Sequence, residues 1–173
     1  MELESLRKDI AAEQKKGLPF IIASVILWGL ITVIAALNIP LMTKNLLVFC
    51  CSCPLLPISW LVGKKLNVNI FSKQNPLGEL GILFTVNQMI YLLIVMWVYA
   101  AVPEKMIMVH AMVFGAHLLP YSWLYRSNAY KIFAIVIPIV SLFLGNLFSG
   151  LSVAAAVTAL EALFVILLFR ELK

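Results

Sequence analysis

The chain has 173 residues, of which 63% are hydrophobic and 12% charged, with 13 Lys and Arg against 8 Asp and Glu. A soluble domain is about 45–50% apolar and about 25% charged, so a water-soluble fold of this size is excluded. The formal net charge of +5 calls for no nucleic-acid partner, because basic loops beside an anionic leaflet account for it.

The opening MELESLRKDIAAEQKK places Leu3, Leu6 and Ile10 at helical spacing among charges. Residues 1–17 therefore read as a lead-in helix, either amphipathic on the membrane surface or simply solvated. Gly17-Leu18-Pro19 ends it, with the proline suited to the first turn of the next helix. Six apolar stretches come after it, at 18–38, 45–63, 77–101, 105–125, 129–148 and 151–169. Stretches of about 20 residues match a hydrocarbon core of roughly 30 Å. Strict period-2 alternation is absent, so helices rather than a β-barrel satisfy the backbone. The expected fold is all-α: a polytopic bundle of six transmembrane helices, with 18–173 as a single domain. The first stretch is too long for the apolar core of a cleaved signal peptide.

The second stretch contains FCCSCP, with Cys50, Cys51 and Cys53 inside it. A CxxC pair can bind a soft metal or exchange thiols, but no loop cysteine accompanies it. Small apolar residues in a packed helix are the preferred reading, and no metal or cofactor is expected.

LLPISWL at 55–61 returns as LLPYSWL at 118–124. In each copy the proline (Pro57, Pro120) is expected to kink the last turns of its span. The serine can bond a nearby carbonyl, and the tryptophan suits the headgroup region. The shared order suggests a duplicated two-helix unit, spans 2–3 and 4–5, related by an axis along the membrane normal; the alternative is a chance match in an apolar vocabulary.

Ionisable groups inside spans cost roughly 2.5 kcal/mol or more on insertion scales, so each is a functional candidate. Glu79, two residues into span 3, reads either as a helix-end charge or as a secondary candidate. Glu161 lies about 16 Å into span 6 at ~1.5 Å per residue, near the bilayer centre. It is expected to face inward with Thr158, along a small-residue seam of Ala155, Ala159 and Ala162, and to be protonated or paired. Counting from the loops puts His117 at the same depth, with Asn87 and Gln88 of span 3 within a turn. His117, Glu161, Asn87 and Gln88 are therefore the candidate ligand or proton site, unless they are merely polar contacts that fix packing. His110, ~10.5 Å from His117 along one helix, is a secondary candidate, and that separation excludes a shared metal. No nucleophile elbow, Walker loop or HEXXH occurs, so the reading leans away from an enzyme.

Six spans put both termini on one side. That side receives Arg7, Lys8, Lys15, Lys16, Lys64, Lys65, Lys73, Arg126, Lys131, Arg170 and Lys173, the other only Lys44 and Lys105. The bias predicts a multi-pass cell-membrane protein with cytoplasmic termini.

HAMVFGAHLLPYSWLY, set in this six-span layout, resembles uncharacterised small integral membrane proteins of Gram-positive bacteria, a resemblance that implies no activity. The size is also similar to the vitamin-binding S components of energy-coupling-factor transporters, but Ala23, Ala35 and Ala36 lack the spacing of their coupling motif. The expected function is transport or binding of a small polar solute or proton at a midplane site, with the lipid bilayer as surroundings. The alternative is a non-transporting accessory or sensor subunit. Homo-oligomer and protein partner both stay open.

Overall fold

A computed structural model describes residues 2–72 and 74–173; Lys73, one of the basic loop residues, lies outside them. The chain forms α1 (Leu3–Glu13), a tight turn (Lys15–Gly17), α2 (Leu18–Ala36), α3 (Leu41–Cys50), α4 (Leu55–Lys65) and α5 (Gly78–Ala101). A short 3₁₀ turn (Pro103–Lys105) leads to α6 (Met106–Ala116), α7 (Leu119–Leu124), α8 (Asn128–Leu147) and α9 (Gly150–Glu171). No strand occurs among the described residues.

Five segments are long and apolar enough to cross a membrane, and α3 with α4, bent by 42°, makes a sixth candidate. That pair runs from one end of the bundle to the other and does not turn back. At its start Lys44 Nζ donates to the Ala35 carbonyl (3.0 Å) and Asn45 Nδ2 to the Pro103 carbonyl (2.8 Å). At its finish Lys15 Nζ donates to the Leu66 carbonyl (2.7 Å), at the opposite end of the bundle.

The kinks sit elsewhere than expected. Proline has no N–H to give the carbonyl four residues back, and its ring crowds that carbonyl. Pro57 so withholds a helical donor from Cys53, Pro54 from Cys50, and Pro120 from Ala116. The helices accordingly break at 51–54 and 117–118, around the start of each LLPxSWL heptad, and Pro57 and Pro120 ride in the first turn of the second half-helix. Ser59 Oγ donates to the Leu55 carbonyl at 2.7 Å. Trp60 and Trp123 are each covered by a cation, Lys64 Nζ at 3.7 Å and the Arg7 guanidinium at 4.4 Å from the ring centroids.

The two heptads share this local break but not a packing plan. α6 lies along α8, whereas α4 packs on α2, and α5 is attached mainly through α6 and α7. A duplicated hairpin would have repeated its own internal contact, so the two-helix repeat does not extend to the tertiary structure. The α6–α8 contact is close because Gly115 meets Ile137 and Pro138 of α8: a Cβ there would stand 2.8 Å from Ile137 Cβ and 2.5 Å from Pro138 Cδ.

The core is centred on α9, which packs against α2 and α8. Its buried face is Val153, Ala154, Val157, Glu161, Phe164 and Leu168, the three-and-four spacing of one helical face. Ala155, Ala159 and Ala162 are exposed on the other side, so the expected small-residue seam does not line the interior.

The lead-in helix docks on the bundle. Ile10 is 1% exposed and Ala11 is buried, whereas Leu3 stays out. Arg7 donates to the Trp123 carbonyl and Asn75 Nδ2 to the Leu6 carbonyl (2.8 Å). The exit from α1 uses left-handed backbone at Lys15, Lys16 and Gly17. At Gly17 only glycine fits, since a Cβ would lie 2.8 Å from the Tyr130 hydroxyl, and glycine alone adopts that conformation freely. Glu171, at the end of α9, then ties the turn down by accepting from Lys16 Nζ (2.8 Å), Ser127 Oγ (2.7 Å) and the Ala129 amide (2.9 Å).

Candidate functional site

Glu161 is fully buried between α9 and α2. Its Oε2 pairs with Ser24 Oγ, while Oε1 has no hydrogen-bond partner. A buried polar atom left wholly unpaired costs about 1–3 kcal/mol. Ser24 Oγ also faces the Ile21 carbonyl at 2.8 Å. A hydroxyl has one hydrogen, so it can donate to Ile21 or to Glu161, not to both. One turn before Glu161, Thr158 meets Thr32 of α2 with their hydroxyls 3.0 Å apart, which holds the two helices in register.

On its other side Ser24 lines a cleft shared with Trp28, Ser52, Gln88, His110 and Phe114. The polar side chains come from three helices and one break, because Ser52 sits in the interruption between α3 and α4. His110 is buried; its Nε2 lies 3.2 Å from Ser52 Oγ, and its Nδ1 has no partner. The Trp28 ring packs on it at 5.5 Å. The free space is about 30 Å³, room for a water molecule or two and too little for a metabolite.

Of the expected site residues, the structure brings Gln88 to this cleft and sets Glu161 one hydroxyl away. His110, expected to be secondary, is in it. His117 is not: its Nδ1 donates to the Phe114 carbonyl, and its ring packs on Phe114 (5.3 Å) and Tyr121 (6.1 Å). Asn87 is exposed on the outer side of α5, since adjacent helical residues point about 100° apart and only one of the pair can face in. Glu79 is exposed near the start of α5. Pro57 and Pro120 shape the breaks but do not line the cleft. Among the described residues, no group of three or more His, Cys, Asp and Glu is placed to hold a metal ion.

Ser24 and Ser52 were not legible as site residues. Ser24 is the one hydroxyl in the first half of α2, a faint signal. Ser52 is masked by the cysteines beside it, which draw attention to thiol chemistry.

Fold and cleft together define a polytopic helical protein of the membrane type, with a buried carboxyl one hydroxyl away from a water-sized cleft that four polar side chains help to line. Residues 3–171 match DUF7010, a family of unknown function, and the chain belongs to that family. No curated protein and no solved structure matches it.

Proposed function

We propose that this protein handles protons within the membrane, with Glu161 as the group that gains and loses the proton. The observation that carries the reading is Ser24, a single hydroxyl poised between two acceptors with Glu161 on one side and the cleft on the other. With Glu161 as the acid, its proton is donated to Ser24 Oγ, and Ser24 donates to Ile21. With Glu161 as the carboxylate, Ser24 turns its hydrogen to Oε2. In the transfer step, the Ser24 hydroxyl turns from Ile21 to a cleft water, and Glu161 passes its proton to Ser24 Oγ while the original Ser24 hydrogen leaves to that water, so one proton enters the hydroxyl and one departs. His110 and Gln88 supply acceptors and donors around that water. Buried carboxyl and imidazole groups are the usual elements of intramembrane proton relays. The cleft's small volume favours the proton over the wider class of small polar solutes.

The termini, with the basic loops, are assigned to the cytoplasmic side. An accessory role in a membrane complex would draw instead on the outer face of α5.

The test is proton flux into liposomes holding a pH-sensitive dye, driven by a potassium diffusion potential. Wild type should acidify the lumen, Glu161→Gln should reduce the rate by more than about tenfold, and Ser24→Ala should slow it as well. Equal flux in wild type, Glu161→Gln and protein-free vesicles overturns the reading.

A further inference from the structure

α5 is the least buried crossing: 17% of its apolar window is covered, against 33–50% for the other four long segments. Gln88, Leu92, Val95 and Val98 form its inward face. On an outer flank beside that face Leu83, Asn87, Ile90, Ile94, Trp97 and Ala101 succeed one another at alternating steps of four and three, and all six are exposed. Leu83, Ile90, Ile94 and Trp97 are 50–65% exposed. Apolar exposure alone would be met by lipid. Two exposed stripes of α5 have the spacing of a coiled-coil seam; the one that carries a polar residue has Leu83, Ile90 and Trp97 at d and Asn87, Ile94 and Ala101 at a.

Asn87 decides what covers it. It is the tenth residue of a 24-residue helix, about 14 Å from the start, at a depth where lipid offers no hydrogen bond. Its carboxamide has two N–H donors and an acceptor oxygen, and within the chain it bonds to none of the described residues. Copies of one membrane protein insert in the same direction, so two α5 helices meeting about an axis along the membrane normal are parallel. In a parallel pair each a position faces its equivalent. Asn87 then meets Asn87 of the second copy, and each amide donates to the other. A single asparagine at an a position fixes register and a two-stranded state, and interhelical amide bonds hold membrane helices together.

We propose that α5 is the interface of a parallel homodimer, zipped along Leu83, Ile90 and Ile94 and set in register by the Asn87 pair. The proposal is independent of proton handling at Glu161.

The experiment uses full-length protein in bilayers on a Cys50→Ala, Cys51→Ala, Cys53→Ala background. Under mild oxidation Ile90→Cys and Ile94→Cys should each give a disulfide-linked dimer. Met89→Cys, about 100° round the helix from Ile90 and also exposed, should not. Single-molecule photobleaching of labelled protein should show two-step traces, and Asn87→Leu should raise the dissociation constant by roughly tenfold. One-step traces for wild type overturn the proposal. So do equal cross-linking at 89, 90 and 94, unchanged dimerisation of Asn87→Leu, or an adduct of Ile90→Cys with a different membrane protein in place of the homodimer.

Discussion

Glu161 and Ser24 are where a residue that serves chemistry can be told from one that serves packing. One oxygen of the buried carboxyl is bonded by no other residue, and Ser24 has a second acceptor in Ile21 that would satisfy it if the carboxyl were gone. Glu161→Met should therefore leave no orphaned donor, because it replaces a partly satisfied polar group with an apolar one of similar length. The expected thermal unfolding midpoint of Glu161→Met is equal to or above that of wild type, while proton flux is lost. A fall of more than about 2 kcal/mol in stability would mean that the carboxyl is a packing bond, and the functional reading of Glu161 would fail. That Glu161 faces inward was legible from hydropathy and depth alone. That His110 and not His117 stands by the cleft was not. Counting residues from a loop fixes depth within one helix, but the offset between α6 and α2 is set by where Trp28, Phe114 and His110 interlock.

At the level of helices, the five long apolar helices and the bent α3–α4 pair were legible because each is a long apolar run, and their observed ends fall within a few residues of the expected ones. The breaks were only half legible. Prolines announce a disturbance, but its position depends on the carbonyl they abandon four residues upstream, and Pro54 acting with Pro57 moved the first break ahead of the heptad. The α6–α8 pairing carries no sequence signal beyond a glycine and a proline in separate helices. Its dependence on Gly115 is strong, since the space a methyl group would need is taken by the Ile137 side chain and the Pro138 ring. Neither gives way cheaply: one is β-branched and the other is a ring closed on the backbone. Gly115→Ala is expected to lower stability by about 1–3 kcal/mol, seen as a lower thermal midpoint in detergent. An unchanged midpoint would mean that α8 slides away from α6 at no cost.

The whole molecule is polarised along its long axis. At one end α1, the Lys15–Gly17 turn, the α7–α8 connection and the end of α9 are bound together through Arg7, Lys16, Ser127 and Glu171. At the other end Lys44 and Lys105 are both committed to backbone carbonyls, those of Ala35 and Gly145. The few cations away from the termini thus cap helix ends, where a positive charge complements the exposed carbonyls. The remaining basic residues among those described gather at the terminal end, which is the asymmetry that orients a chain during insertion. Ser149 and Gln74 report on the two ends, since both are exposed and neither lines the cleft. On the cysteine-free background in intact cells, Ser149→Cys should react with a membrane-impermeant maleimide. Gln74→Cys should react only after the membrane is opened. The reverse pattern would place the termini outside, and labelling of both positions in intact cells would mean that insertion is dual. Dual insertion would also make the α5 helices of opposed copies antiparallel, so the same measurement decides whether two Asn87 amides can meet at one level in the bilayer.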